Sequence, residues 1–251
     1  MTETLSLRAK IEQSPMGAYQ WMIVVMAAIM NLLDGFDVLA LAFTATAIRS
    51  EFGLTGIELG YLLSAGLFGM TAGSLFLAPL ADKIGRRPLL LMAVSLSAIG
   101  MLGSAFISQY QWLGFWRVIT GLGVGGILVG TNVITSEYSS RKWRSFAISV
   151  YAAGFGIGAV LGGMFAVMLQ GEYGWRSVFL AGAILTGLLL VVLFIWLPES
   201  IDFLTSKQPK NAEVRLNLIA KKIGLAGDWK LPEKTEKVKT KLQIGRASCR
   251  E

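Results

Sequence analysis

Six apolar stretches, residues 21–48, 59–79, 89–107, 112–136, 146–169 and 178–197, are separated only by short charged or Gly- and Pro-bearing breaks. A helix rises 1.5 Å per residue, so about 20 apolar residues cross the hydrocarbon core of a bilayer, and each stretch has that length. Inside lipid a backbone must satisfy its own hydrogen bonds, which for single stretches of this kind means α-helix. The sequence therefore predicts an all-α membrane protein with a six-helix transmembrane domain over residues 19–198. Charged residues make up 16% of the chain, against about 25% in ordinary soluble domains.

Lys and Arg in the connections set the expected orientation. Arg8, Lys10, Lys83, Arg86, Arg87, Arg141, Lys142 and Arg144 fall on one side, and Arg49 and Arg176 on the other. Both ends of the six-helix unit are thus expected in the cytoplasm. Residues 1–18 read as a polar cytoplasmic segment. They do not read as a cleaved leader, because the apolar run that follows is too long and carries two acids.

Of the net charge of +7, +5 lies beyond residue 198. Residues 199–243 read as a basic, part-helical cytoplasmic loop attracted to anionic lipid. With no aromatic or Gly-rich recognition pattern beside the charge, nucleic acid is not expected as a partner. Residues 244–251 have no periodicity and resemble a translated frame of a sequencing adapter. They are expected to be non-native, with the natural chain continuing past about Gln243.

Within the first span stand Asn31, Asp34 and Asp37, each three residues after the last and so on one helical face. An Asp near the centre of a spanning helix costs roughly 2.5–3.5 kcal/mol on insertion scales, so such a pair implies a task or a partner. The chain has no His and one Cys. That leaves no metal centre to predict and calls for no cofactor, and any proton relay must run through Asp or Glu.

Arg117 lies in the fourth span, roughly 8 Å from its start, and Asp34 lies roughly 20 Å from Trp21 in a span running the other way. Their depths match well enough for long side chains to meet, and an Arg is suited to bidentate capture of a carboxylate. The Asp pair then has two readings: a proton carrier, with either Asp34 or Asp37 titrating, or a fixed ion pair with Arg117. In the fifth span Gly154, Gly158 and Gly162 recur every four residues, with Gly163 beside them, a pattern for close helix packing. Acid-Gly-Arg runs at Asp82–Gly85–Arg86 and at Glu172–Gly174–Arg176 hint at two three-helix units of opposite topology.

The connection between the second and third spans reads Ala78-Pro-Leu-Ala-Asp82-Lys-Ile-Gly85-Arg86-Arg87-Pro88. Gly85 suits a tight turn, Asp82 can serve helix N-terminal amides, and Arg86 helix carbonyls or carboxylates. This run resembles the loop between helices 2 and 3 of the major facilitator superfamily, with Ala78 where the family has Gly. The resemblance implies the N-terminal six-helix half of a 12-helix transporter, two inverted three-helix repeats, with Asp82, Gly85, Arg86 and Arg87 in a cytoplasmic gate braced against the missing C-terminal half. Arg117 and the glycines that follow it resemble the family's fourth helix. Glu137 with Arg144, Trp175-Arg176-x-x-Phe179 and Leu197-Pro-Glu199-Ser200 fit the same family as structural features. Antiporters of the family carry Gly-Pro in the fifth helix, and Ala159 after Gly158 favours a symporter or uniporter.

Asp34-Gly-Phe-Asp37 together with Leu197-Pro-Glu-Ser resembles the aromatic acid/proton symporter branch. That implies inward symport of an aromatic or related carboxylate with protons across a bacterial inner membrane, with proton coupling at Asp34 and Asp37 and substrate contacts at Arg117 and Asn31. No enzymatic activity is implied. Two alternatives stay open, another carrier of the superfamily for sugars or drugs, and a non-transporting truncated membrane module.

Overall fold

The computed structural model describes residues 7–225, 227 and 229–231. Residues 244–251, the end of the basic segment and the first six residues, for which expectations are given above, lie outside them. Among the described residues the order is α1 (Leu7–Gln13), α2 (Ala18–Phe52), α3 (Gly56–Ile84), α4 (Arg86–Ala105), α5 (Tyr110–Tyr138), α6 (Arg144–Tyr173), α7 (Trp175–Trp196), α8 (Ile201–Lys207) and α9 (Ala212–Ile223). Helices α2 to α7 are each long and apolar enough to cross a membrane.

They overrun the apolar stretches at most ends, because polar helix formers continue a helix once it is nucleated. The second span, expected to end at Pro79, continues to Ile84 with Pro79 inside it. The amide Pro lacks is the main loss, and membrane helices tolerate it when neighbours re-satisfy the freed carbonyl.

Two three-helix units, α2–α4 and α5–α7, pack as an inverted pair. Helix α3 lies along α5 as α6 lies along α2, while α4 and α7 meet each other. Both principal pairs approach through glycine. On one side Gly35 of α2 faces the Phe155 backbone, and Gly154 and Gly158 of α6 face the backbones of Ala28 and Leu32. On the other side Gly73 of α3 faces the Leu122 backbone, and Gly121 and Gly125 of α5 face Gly66 and Met70. Absent side chains bring backbones together and gain dispersion contacts where lipid supplies no hydrophobic drive. Gly162 and Gly163 meet the rings of Phe36 and Phe43 instead, a softer contact. The acid-Gly-Arg likeness does not carry the symmetry, since Arg86 pairs with Asp82 (2.7 Å) whereas Arg176 pairs with Glu51 (2.7 Å), not Glu172.

One end of the bundle carries a cap that the sequence reading left as polar segments. Leu7 and Ile11 of α1 are buried in one apolar cluster with Ile201, Leu204, Leu216 and Ile219 of α8 and α9. Arg8 pairs with Asp202, and Arg144 with Glu12 at 2.6 Å. That Arg144 hydrogen bond holds the Glu12 carboxyl below its ordinary range.

The buried Glu137 at the end of α5 accepts from Ser200 Oγ and from the Ile201 amide, both at 2.9 Å, and so caps α8. Glu137→Ala strands both donors, and the expected loss is about 1–3 kcal/mol, read as a lower unfolding temperature in detergent; an unchanged midpoint would remove this cap from the account.

Candidate functional site

The predicted charges on α2 and α5 do meet, at the level where α2, α3, α4, α5 and α7 converge. Arg117 Nη1 donates to Asp37 Oδ1 at 3.2 Å, both side chains being about 4% exposed or less. Ser97 Oγ of α4 donates to Asp37 Oδ2 at 2.8 Å. Arg117 Nη2 lies 3.1 Å from Ser104 Oγ, 3.3 Å from Thr120 Oγ1 and 3.1 Å from Met101 Sδ. The guanidinium carbon of Arg117 lies over the Phe179 ring, 4.8 Å from its centroid. Arg117 Nε is buried and finds no hydrogen-bond partner among the described residues.

Asp37 and Arg117 border a cavity of about 170 Å³ between α2, α3 and α5. Its wall is otherwise mainly aliphatic: Val38, Leu41, Leu62, Leu67, Met70 and Val124, with Thr120 as a polar exception. An ion pair at one edge of an apolar wall can receive an amphiphile with one charged end.

Asp34 and Asn31 sit on the same buried stretch of α2, apart from this cavity's lining. Asn31 Nδ2 donates to the Tyr151 carbonyl of α6 at 2.8 Å, while Asn31 Oδ1 and Asp34 Oδ2 have no hydrogen-bond partner among the described residues. The structure thus separates the two acids. Among the described residues Asp37 has a cation and a hydroxyl, and Asp34 has neither.

Sequence reasoning missed the shell around Arg117. Ser97 and Ser104, seven residues apart, share a face of α4, and Thr120 follows Arg117 by three; that spacing was a usable signal. Nothing local pointed to Phe179.

The 82–88 connection forms a different site. Gly85 turns the chain between α3 and α4 at φ 104°, and a Cβ there would lie 2.7 Å from Glu199 Oε2. The expectation that Asp82 serves helix amides is corrected. Glu199, after α7, accepts from the Arg87 amide at 3.0 Å, while Asp82, in the last turn of α3, reaches only Arg86. Arg86 takes the Asp82 carboxylate at 2.7 Å, one of its two expected kinds of partner, and Arg87 Nη2 donates to the Phe194 carbonyl at 2.6 Å.

The profile described as Major Facilitator Superfamily matches residues 27–238. The 4-hydroxybenzoate transporter PcaK of Pseudomonas putida is 34% identical over 92% of this chain and 52% of its own length. The gallate transporter of the same organism is 36% identical over 81% of this chain and 45% of its own length. Among solved structures, the xylose transporter XylE from E. coli in a partially occluded inward open conformation superposes with a TM-score of 0.71 at 22% identity. That match covers 80% of this chain and 55% of the other, and it shows the fold alone. The chain spans about half the length of the curated relatives it matches. With six spanning helices in two inverted units and a matching profile over most of its length, the chain belongs to the Major Facilitator Superfamily.

Proposed function

We propose that this chain is the N-terminal six-helix half of a symporter that carries an aromatic or related organic carboxylate into a bacterial cell together with protons. The complete protein adds a second six-helix half that closes the cavity beside Asp37 and Arg117. The unit lies in the inner membrane with its capped end, and so both ends of the six helices, in the cytoplasm. The distribution of Lys and Arg supports this orientation. On that basis the Asp82–Arg87 turn is part of the cytoplasmic gate.

The observation that carries the reading is a buried Arg–Asp pair at the edge of an aliphatic cavity. A substrate carboxylate competes with Asp37 for the Arg117 guanidinium, whose Nε remains available as a donor. Once displaced, Asp37 would be a buried anion without a cation, a state that favours taking up a proton. Substrate and proton binding then support each other, which is the reciprocal coupling symport requires. The similarity to transporters named for 4-hydroxybenzoate and gallate supports an aromatic acid as the substrate.

Asp34, one turn earlier and without a cation among the described residues, holds the second coupling position. In the complete transporter Asp34→Asn is expected to abolish accumulation driven by an inward proton gradient while preserving exchange of labelled for unlabelled acid. Gradient-driven accumulation equal to wild type would remove Asp34 from the mechanism.

A further inference from the structure

The Trp175-Arg176-x-x-Phe179 start of α7 entered the sequence reading as structural, yet it ends on the binding Arg. Phe179 is fully buried, and the guanidinium carbon of Arg117 lies over its ring, 4.8 Å from the centroid. The in-plane donors of that guanidinium point to Asp37, Ser104 and Thr120. These hydrogen bonds and the ring beneath the guanidinium together restrain its orientation.

The ring is itself held. Trp175 meets it edge-on at 5.7 Å and 85°, and Phe52 of α2 packs on Trp175 at 6.2 Å. The Trp175 indole N–H donates to Glu51 at 2.6 Å, the same carboxylate that pairs with Arg176. A continuous series of contacts therefore runs from the end of α2, through two aromatic rings of α7, to the guanidinium on α5.

We infer that Phe179 is a positioning residue that sets the orientation in which Arg117 meets a carboxylate. The inference rests on the symport reading above. When the substrate draws Arg117 away from Asp37, the hydrogen bond to Asp37 is lost and the ring contact remains, so the ring fixes the guanidinium plane in the substrate-bound state. A guanidinium held over the ring keeps its N–H groups free to pair with the incoming carboxylate. Ring contact also favours the cation while water is excluded, which a hydrocarbon side chain of similar size does not do.

The test is initial-rate uptake of labelled 4-hydroxybenzoate by cells producing the complete transporter, normalised to the folded protein in the membrane. Phe179→Leu is expected to raise KM roughly tenfold, the scale of a desolvated cation–π contact, with the maximal rate near wild type, and Phe179→Tyr should restore the wild-type KM. A Phe179→Leu protein with wild-type KM overturns the inference. So does a loss confined to protein abundance or maximal rate and shared by both variants, since packing alone then accounts for it. A wild type that takes up neither this acid nor gallate contradicts the transport reading instead, and the inference falls with it.

Discussion

Asp37→Asn is expected to destabilise the bundle by about 3–5 kcal/mol, because it leaves the Arg117 guanidinium buried beside a neutral partner. Arg117→Met should cost less than this, because Asp37 left without its cation takes up a proton. The two losses are not expected to add. Removing both members eliminates the uncompensated charge, so Asp37→Asn/Arg117→Met should recover a substantial part of either single loss, and the cycle should show an interaction energy well outside the roughly 0.5 kcal/mol expected of independent sites. Thermal unfolding in detergent measures this. Additive losses would mean that the 3.2 Å contact contributes no coupling. Transport does not follow stability here, and none of the three variants is expected to accumulate substrate, the double variant included. That divergence separates the pair's structural contribution from its functional one.

The second large effect is steric. Gly158→Leu places a side chain where the Leu32 backbone already lies. Backbone cannot rotate aside as a side chain can, so α2 and α6 must separate along one of the two principal contacts between the three-helix units. Overpacking typically costs about 1–3 kcal/mol and more where the neighbour is rigid. Little folded protein is expected in the membrane. Gly156, two residues earlier on α6, provides the control, since a Cβ there meets nothing within 4 Å, and Gly156→Leu should accumulate as wild type does. Comparable yields of the two variants, read by fluorescence-detected gel filtration, would contradict the packing described here.

The spanning helices were legible in the sequence because apolar length is a physical requirement of the bilayer and leaves few alternatives. The meeting of Arg117 with an Asp of α2 was legible for a related reason, since antiparallel helices of known rise fix the depth of each residue. Which Asp it meets was not legible. Asp34 and Asp37 share a face, and the choice depends on the rotation of α2, set by Gly35 against Phe155 and Gly158 against Leu32. The cap was hidden because α1 and α8 are each seven residues long and each bury two apolar side chains, too few to show a period. Glu199 was seen only as part of a motif, and its contact with the Arg87 amide, 112 residues away in sequence, exists only once α4 and α7 are side by side. Phe179 belongs with these, because its partner is supplied by another helix.

Proton movement is the most direct test of the central claim. Weakly buffered, de-energised cells producing the complete transporter would receive sodium 4-hydroxybenzoate while external pH and entry of the labelled acid are followed together, with vector-only cells subtracted. Symport through Asp34, Asp37 and Arg117 predicts alkalinisation of the medium in step with entry of the acid, lost in Asp34→Asn. Entry of the acid through the transporter with no accompanying proton movement would contradict it.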